Sequence, residues 1–414
     1  MASSSSSGAP DAGAARWRVL AALAVAELLA LSPWFSASAV LDVLRREWHL
    51  GSGGTASLTI AVQLGFILGT LASALGNLPD IWSSKRLMTW SAAAAALANA
   101  AVALWVDSLG PALVLRVITG MCLAGAYPPA MKIIATWFRE GRGLAIGLLI
   151  GGLTIGSGSP YLIRGIGNLS WRHTLLFASG LGLIAALIVA VLVREGPHRL
   201  PPARFDVRMA AAVFRNRASR LACFGYFGHM WELYAMWAWT GVFLGESLRA
   251  RGASGYLGLN ASAATFVVIA VGALGCYLGG LASDTWGRTR LTMTAMALSG
   301  LCAIAIGLTF GGPPWLTLLV AIVWGITVIA DSAQFSTAVT ELSPPAYVGT
   351  ALTTQTSVGF ALTMASIWLV PPIVRVVGWR WAFAMLALGP ALGVLAMGRL
   401  RSLPEAVKMA GGRR

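Results

Sequence analysis

Two glutamates lie within long apolar stretches of this 414-residue chain, and their surroundings match. Glu27 lies seven residues before Trp34, and Glu232 lies seven residues before Trp239. Seven residues are about two helical turns, so each glutamate shares a helix face with its tryptophan. A carboxyl away from water favours its neutral form and can take up and release a proton. The two carboxyls are therefore candidates for proton exchange or for contact with a polar solute.

Other ionisable residues inside apolar stretches are also candidates. His229 lies one turn before Glu232 on the same face, which predicts that the two share or relay a proton. Glu232 is therefore the expected coupling site, and Glu27 is expected to contact the solute or to tune the field of the cavity. Asp331 is a further candidate for a wet cavity, together with Gln334 one turn later. Weaker candidates, for which a structural role is favoured, are Gln63, Tyr127 and Gln355. For every buried polar side chain, a fixed hydrogen-bond role remains the alternative.

Arg116 is a separate case because an arginine inside a long apolar stretch needs a partner or water. It is a candidate contact for the solute, and its alternative is a side chain that reaches the membrane interface. Its equivalent in the other half of the chain is near Ala321 or Ile322, so the charge belongs to one half only. That asymmetry favours a functional role. Lys132 ends the same span near the cytoplasm, where reaching the interface is the favoured reading.

The chain repeats its landmarks at a nearly constant offset of 204 to 208 residues. Such an offset indicates an internal duplication of a half-length unit. A duplicated apolar half is typical of transporters whose path lies between two similar bundles. The repeated pairs are Glu27 and Glu232, Trp34 and Trp239, Asp80 and Asp284, Gly120 and Gly325, Gly143 and Gly349, and Trp171-Arg172 and Trp379-Arg380.

Composition indicates that lipid is the main solvent of this chain. Hydrophobic residues make up 57% and charged residues only 11%, against roughly 25% charged residues in soluble domains. The apolar runs are continuous rather than alternating, which excludes a β-barrel and predicts an all-α membrane protein. Twelve spans are predicted, at 17–40, 55–77, 87–107, 111–132, 143–163, 172–193, 219–245, 259–282, 290–310, 315–337, 347–372 and 379–399.

The net charge of +15 predicts topology rather than nucleic-acid binding. With an even number of spans, 20 of the 30 lysines and arginines lie on the side of both termini and 8 on the other. Basic loops stay cytoplasmic, so both termini are predicted inside a cell (inner or plasma) membrane. Lipid headgroups are the expected partner of this charge. The predicted organisation is a disordered tail 1–15, a bundle 16–193, a basic linker 194–218, a bundle 219–402 and a tail 403–414.

Motifs for other kinds of chemistry are absent from the sequence. There is no G-x-x-x-x-G-K-[ST] phosphate loop, no G-x-S-x-G and no H-E-x-x-H. The four cysteines all fall in predicted spans without metal-ligand spacing. The chain is therefore not predicted to be an enzyme, and no cofactor or metal is expected.

Two loops carry a recognisable signature. The loop after span 8 contains Gly280, Asp284, Gly287 and Arg288 at the spacing G-x-x-x-D-x-x-G-R, which resembles the loop signature of the major facilitator superfamily. The loop after span 2 is a partial copy in which Ile81 and Ser83 replace a basic residue and a glycine. The resemblance implies twelve helices in two pseudo-symmetric six-helix bundles that rock about a midplane site. It also implies a cytoplasmic latch at these loops, formed by Gly76, Asp80, Lys85, Arg86, Gly280, Asp284, Gly287 and Arg288.

Two other segments extend the resemblance. Arg116 and Gly120 match the superfamily's R-x-x-x-G signature in span 4. The glycine-rich span 5, from Gly143 to Pro160, partly resembles the antiporter signature and is distantly similar to nitrate and nitrite porters of the superfamily. Residues 55–77 and 259–282 contain no arginine, where those porters bind their anion. The resemblance therefore does not extend to a nitrate site.

The sequence predicts a secondary transporter of a small molecule or ion, monomeric and without a nucleic-acid partner. Proton coupling is inferred from Glu27 and Glu232, and by resemblance these face each other across the path together with Trp34 and Trp239. The alternatives are an uncoupled facilitator or exporter of the same fold and, in a different class, a non-transporting membrane sensor. The substrate stays open, because two carboxylates suit an organic cation whereas Arg116 suits an anion.

Overall fold

The computed structural model describes residues 9–76, 78–138, 141–166, 169–198, 207–344 and 347–413. Within these ranges the chain is almost entirely helical. The first six long helices are α1 (Ala9–Ala30), α2 (Ser52–Leu75), α3 (Ser84–Trp105), α4 (Leu109–Leu123 and Tyr127–Trp137), α5 (Arg142–Ile166) and α6 (Trp171–Leu192). The next four are α7 (Arg217–Arg251), α8 (Ala261–Ala270 and Gly272–Trp286), α9 (Arg288–Leu308) and α10 (Pro314–Thr327 and Ser332–Leu342).

The last long helical segment is two helices. Val348–Ala382 is interrupted at Gly378, whose φ of 70° and ψ of 173° are not helical. We name the part before Gly378 α11, and the part after it, together with Leu388–Arg401, α12. Within the described ranges, nine segments are long and apolar enough to cross a membrane, and 348–401 is one of them. The break at Gly378 divides that segment into α11 and α12. α1 and α7, which carry ionisable residues, are not among the nine segments. Adding them makes the helices of the described ranges consistent with the predicted twelve.

The first helix of the first half, α1, is interrupted, whereas its equivalent in the second half, α7, is continuous. α1 ends at Ala30 and the chain continues through turns to the short 3-10 helix Ser38–Val40, so the regular part of span 1 ends earlier than predicted. Pro33 lies in this interruption, where its ring and its missing N–H prevent a regular helix. α7 carries Ala238 at the equivalent position and continues without a break to Arg251.

Glycines at repeated positions bring helices into close contact. A Cβ on Gly120 of α4 would overlap the carbonyl oxygen of Val62 in α2, and a Cβ on Gly325 of α10 would overlap that of Val268 in α8. Only glycine permits so close an approach of two backbones. The duplication seen in the sequence is therefore also a duplication of helix packing.

The two halves meet through two pairs of helices, α5 with α8 and α2 with α11. Gly147 of α5 faces the carbonyl of Cys276 in α8, where an added Cβ would lie 2.9 Å from that oxygen. Gly280 of α8 lies similarly against Gly143 of α5, at 3.1 Å. The spaced glycines of span 5 and the first glycine of the second loop signature thus form the seam between the halves.

The segments outside the bundles differ in part from expectation. The predicted disordered tail, 1–15, falls outside the described residues up to residue 8, and residues 9–15 are the start of α1. The predicted linker 194–218 contains a short helix, Val207–Arg215, and its residues 199–206 lie outside the described ranges. The C-terminal tail forms the 3-10 segment Pro404–Gly412. The cytoplasmic location of these segments stays a prediction.

Candidate functional site

A cluster of aromatic rings joins the two halves of the chain. Trp34 packs on Phe66, Tyr234 and Phe360 with ring centroids 5.1, 5.7 and 5.6 Å apart, and Phe66 lies 4.4 Å from Phe360. These distances are typical of favourable aromatic pairs. The cluster takes rings from the α1 interruption, α2, α7 and α11. We call it the aromatic cluster; its members are Trp34, Phe35, Phe66, Tyr234, Trp237 and Phe360.

Polar side chains lie on the side of the aromatic cluster that faces the chain termini. α1, α7 and α11 all run away from that side, and each carries a buried polar residue before its aromatic residue. Glu27 lies seven residues before Trp34, which is beyond the end of α1 at Ala30, and Gln355 precedes Phe360 by about 8 Å of helix rise. His229 lies five residues before Tyr234 in α7. Along each of these three segments, the polar residue therefore comes before the aromatic cluster.

Several of these buried groups have polar atoms without a hydrogen-bond partner in the described part of the chain. Both carboxyl oxygens of Glu27, both amide atoms of Gln63 and Gln355, the indole nitrogen of Trp34 and Nε2 of His229 are in this condition. A buried polar atom left unsatisfied costs about 1–3 kcal/mol. Such atoms occur on α1, α2, α7 and α11, the segments beside or within the aromatic cluster, and each indicates a place for a bound polar molecule or water. Gln355 lies on the same side of the aromatic cluster as Glu27, whereas Gln63 precedes Phe66 in α2, which runs in the opposite direction, and so lies on the other side.

His229 is brought to Asp331 rather than to Glu232. Nδ1 of His229 lies 2.9 Å from Oδ1 of Asp331, and both side chains are at most 2% exposed. The two atoms are close enough for an ion pair, although they are not aligned as a hydrogen bond. Asp331 lies in the break of α10, immediately before the helix that begins at Ser332. The expected relay from His229 to Glu232 is replaced by a pair between α7 and α10.

Glu232 differs sharply from its repeat equivalent Glu27. Its Oε1 accepts a hydrogen bond from Trp324 Nε1 at 2.7 Å, and its Oε2 accepts one from Ser299 at 2.8 Å. Both partners belong to the second half, on α10 and α9. Trp239 is held as well, since its indole N–H donates to the carbonyl of Ile367 at 3.1 Å. The second glutamate–tryptophan pair is therefore engaged inside its own bundle.

Arg116 is fully buried and directed at the α1 interruption. Its guanidinium donates to the carbonyl of Pro33 at 2.7 Å, to the carbonyl of Trp34 and to Asn99 Oδ1 at 3.0 Å. Ser36 Oγ accepts a further hydrogen bond at 3.3 Å. Backbone carbonyls that lose their helical hydrogen bonds at a helix break need other N–H donors. The guanidinium supplies several N–H donors from one side chain.

The one-sided occurrence of this arginine has a physical reason. The second half has Ala238 in place of Pro33, and α7 runs through that position without releasing carbonyls. It accordingly needs no donor at the equivalent of Arg116, where Ala321 is found. The asymmetry that suggested a functional charge from sequence is thus explained by helix continuity.

In the second loop signature, Arg288 is held by a partner that sequence reasoning missed. Its guanidinium donates to both carboxyl oxygens of Glu341 at 2.7 and 2.6 Å and to Gln334 Oε1 at 2.7 Å. Gly287 precedes α9 with φ of 82°, a conformation that favours glycine. Gln334 is therefore engaged by the arginine. Glu341 lies next to the last residue of α10, and an acid at that helix end is the signal by which the sequence could have indicated a partner for Arg288.

The first loop signature has a different construction. Ser83, which replaces the glycine, caps α3 by accepting from the backbone N–H of Arg86 at 3.3 Å. The backbone N–H of Lys85 donates to Glu195 after α6 at 3.4 Å. Gly76 ends α2, and Gly280 contacts α5 as described above.

The two signature aspartates are placed only by their backbones. Asp80 belongs to the short helix Leu78–Ile81 and Asp284 to Gly272–Trp286, and their side chains lie outside what the structure describes. Their role in the latch stays a prediction.

Comparison with solved structures shows the fold. A mutant of the nucleoside transporter NupG aligns with a TM-score of 0.71 and 14% identity, covering 92% of this chain and 99% of that one. The proton:xylose symporter XylE, bound to 6-bromo-6-deoxy-D-glucose, aligns with a TM-score of 0.70 and 15% identity over 94% of this chain and 96% of that one. A D-xylose-proton symporter aligns with a TM-score of 0.71 and 16% identity, covering 95% of this chain and 99% of that one.

Comparison of sequences shows the family. A search of curated proteins finds no match. Residues 23–367 match the profile described as Major Facilitator Superfamily, which covers most of the chain. Members of this family are transporters, and the multiple apolar helices make the chain a multi-pass membrane protein. The chain therefore belongs to the major facilitator superfamily.

Proposed function

We propose that this chain moves a small, uncharged polar solute across the membrane by alternating access, in exchange or in company with protons that bind at Glu27. The observation that carries the proposal is the group of unpartnered buried polar atoms on Glu27, Gln63 and Gln355. They come from α1, α2 and α11, and so from both halves of the chain. A solute held between the halves is in the position that a rocking motion would expose to each side in turn.

Glu27 is the better proton carrier of the two duplicated glutamates. Its oxygens have no described partner, so protonation changes the charge of the site without breaking an existing hydrogen bond. Glu232 accepts from Trp324 and Ser299, and these bonds fix it. The pair His229 and Asp331 is a second group whose charge depends on proton binding. We assign coupling to Glu27 and a supporting role to the His229–Asp331 pair.

The chemistry of the free groups favours a neutral solute. The amides of Gln63 and Gln355 and the indole N–H of Trp34 offer both donors and acceptors without net charge. Both terminal nitrogens of Arg116 already donate to the carbonyls of Pro33 and Trp34 and to neighbouring side chains, so only its Nε is left without a partner, and an anion is less favoured. The structurally similar proteins named above are a nucleoside transporter and xylose–proton symporters, which agrees with this class.

The conformation described here closes the site from both sides. The aromatic cluster covers one side, while Tyr226 and Phe335, 6.2 Å apart, lie toward the chain termini. Glu27, His229 and Asp331 are all buried. Opening on the terminal side requires the halves to separate along the glycine seam between α5 and α8. The loop signatures at the ends of α2 and α8 are the proposed latch for that movement.

The test is flux in proteoliposomes after a binding screen. Purified protein is screened by thermal shift against sugars, nucleosides, organic cations and small anions, and the hits are followed as radiolabelled solutes. We expect wild-type protein to accumulate a neutral solute when a pH gradient is imposed, and not when a sodium gradient is imposed. Glu27→Gln should still exchange solute across the membrane without a gradient, because the amide imitates the protonated carboxyl. It should fail to accumulate solute against a concentration difference.

Glu232→Gln is the matched control, since it makes the same chemical change at the repeat-equivalent position. The amide oxygen can still accept from Trp324 Nε1, so gradient-driven accumulation should persist. Normal accumulation by Glu27→Gln would remove the proposed coupling site. Accumulation lost only in Glu232→Gln would return the assignment to the second half.

An uncoupled facilitator is the second candidate within the same fold. It is favoured if the wild-type protein equilibrates the solute at the same rate with and without a pH gradient. An organic cation is the second candidate for the solute, because an ionised Glu27 without partners could hold one. In that case the screen should return cations, and Glu27→Gln should lose binding as well as accumulation.

A further inference from the structure

A long groove runs along the outer surface of the second half, between α7, α11 and α12. Its volume is 680 Å³. Leu388, Leu392 and Leu395 of α12 and Phe224 of α7 are each 46–57% exposed there, so they face lipid rather than protein. The apolar part of the lining includes Leu221, Phe224, Phe227, Trp231, Leu392 and Leu395.

The groove is deep because two glycines at its base, Gly228 and Gly389, let α7 and α12 approach closely. A Cβ on Gly228 of α7 would overlap the carbonyl oxygen of Gly389 in α12, and the reverse is also true. The helices therefore touch through their backbones at this point, and the larger side chains on either side form the walls. Trp231 closes the far end, where its indole N–H donates to the carbonyl of Met385 at 3.3 Å.

The length of the groove matches one leaflet of a bilayer. From Arg217 to Trp231 α7 rises about 21 Å, and from Leu388 to Arg399 α12 rises about 17 Å. The hydrocarbon core is about 30 Å thick, so one leaflet is about 15 Å. An acyl chain lying along the groove would therefore extend from the headgroup level to the middle of the membrane.

The end of the groove nearest the chain termini is basic. Arg217, Arg220 and Arg399 line it, and no acidic residue is among the lining residues. Arg217 and Arg399 are exposed, and no ion pair joins either to a carboxylate in the described part of the chain. Arg220 donates one hydrogen bond, to the carbonyl of Phe214 at 2.9 Å, which fixes its side chain near the groove.

We propose that this groove binds one anionic phospholipid, with an acyl chain along the apolar floor and the phosphate on Arg217, Arg220 and Arg399. Guanidinium groups are suited to phosphate because several N–H donors meet it at once. Arg217 is also the first residue of α7, where the helix end favours a negative charge. The three arginines lie on the side that the loop charges predict to be cytoplasmic, which makes the inner leaflet the source of the lipid.

The proposal is tested by native mass spectrometry of the full-length protein in detergent. Phosphatidylglycerol and phosphatidylcholine with identical acyl chains are added at equal concentrations. We expect one phosphatidylglycerol to remain bound at least about tenfold more than phosphatidylcholine, because only the first is anionic. Equal retention of the two lipids would overturn the proposal.

Three variants separate the contributions of charge and shape. The triple variant Arg217→Gln, Arg220→Gln, Arg399→Gln should lose the tenfold preference. Its control removes the same charge elsewhere, through Arg18→Gln, Arg194→Gln and Arg290→Gln at three exposed arginines, and should keep it. Leu392→Trp leaves the arginines in place and fills the groove, so it should lose the retained lipid with an unchanged melting temperature. If the triple variant fails to fold, Leu392→Trp still tests whether the lipid binds in the groove.

Other occupants give distinct results. Glycerophosphate that competes as well as the intact lipid would identify a free-phosphate site and overturn the lipid assignment. A dimer mass that disappears in Leu392→Trp would identify a second copy of the chain as the occupant instead. Loss of the preference in the Arg18, Arg194, Arg290 control would reduce the effect to net charge and also contradict the proposal.

Discussion

Removal of Arg116 should destabilise the first half of the chain rather than simply abolish solute binding. The guanidinium donates to the carbonyls of Pro33 and Trp34 and to Asn99 and Ser36, all within the α1 interruption or beside it. Arg116→Ala would take from the Trp34 carbonyl its donor, whereas the Pro33 carbonyl would keep the Ser36 hydroxyl at 2.9 Å and the Ser36 backbone N–H at 3.4 Å. Arg116→Lys keeps one charged donor group and should retain part of the stabilisation.

The magnitude follows from the number of bonds lost. A hydrogen bond to a charged group contributes about 1.5–3 kcal/mol, and breaking a buried charged network by removing one partner costs about 3–5 kcal/mol. The arginine's own burial offsets part of the sum, so we expect about 3–5 kcal/mol for Arg116→Ala. At roughly 2–4 °C per kcal/mol for a unit of this size, the melting temperature should fall on the order of 10 °C.

The interruption itself provides a second variant. Pro33→Ala lets α1 continue, so that amides farther along the chain can take the released carbonyls. The double variant of Pro33 and Arg116 should then lose less stability than the two single variants together, with a coupling of at least about 1 kcal/mol. The position in the second half, with Ala238 and Ala321, already has this combination.

The assay uses cysteines already in the chain. Cys122 in α4 is unpaired and half-buried, so its reaction with a thiol-reactive fluorophore reports opening of the first half as the protein is heated. Cys223, Cys276 and Cys302 are buried in the second half and report unfolding there. Transport of the solute identified in the screen is measured on the same preparations. The reasoning fails if Arg116→Lys and Arg116→Ala both melt like wild type while losing transport completely. That result would make Arg116 a solute ligand, as the sequence alone suggested.

Three further predictions concern other contacts. Glu232→Ala should lower the melting temperature by several degrees without changing proton coupling, because it removes the acceptor of Trp324 Nε1; thermal unfolding and flux measure this. Glu341→Gln should weaken the hold on Arg288 and lower the melting temperature, with a smaller effect at high salt because the pair is partly exposed. Gly120→Val and Gly325→Val should each prevent accumulation of folded protein, because each side chain would overlap a carbonyl of the neighbouring helix; yield on size-exclusion chromatography measures this.

Each of these predictions has a control and a contradicting result. Arg290→Gln removes an exposed charge two residues after Arg288 and should leave the melting temperature unchanged, so an equal effect would show that only net charge matters. Gly180→Val places a side chain where no atom lies within 4 Å and should yield folded protein. Normal yield from Gly120→Val would mean that α2 and α4 are less tightly packed than described. A coupling defect in Glu232→Ala would contradict its structural assignment.

The sequence by itself determined the membrane fold. Continuous apolar runs of about 20 residues admit only helices, because lipid offers backbone groups no partner. The constant offset between the halves predicted the pseudo-symmetry, and the loop signature around Gly280 and Gly287 predicted the family, which the profile match confirms. These properties are local in the chain or periodic along it, so they can be read without coordinates. The helix ends were less predictable, as the early end of α1 near Pro33 illustrates.

Only the tertiary structure decided which groups the candidate residues contact. Glu27 and Glu232 have the same spacing to a tryptophan, yet one lacks described partners and the other accepts from residues 67 and 92 positions away. Arg116 is engaged by carbonyls 82 and 83 positions earlier. The physical reason is that helix periodicity assigns a residue to a face of its own helix, whereas its partner depends on how neighbouring helices cross. Those crossings are set by packing, and here they depend on glycines in helices distant along the chain.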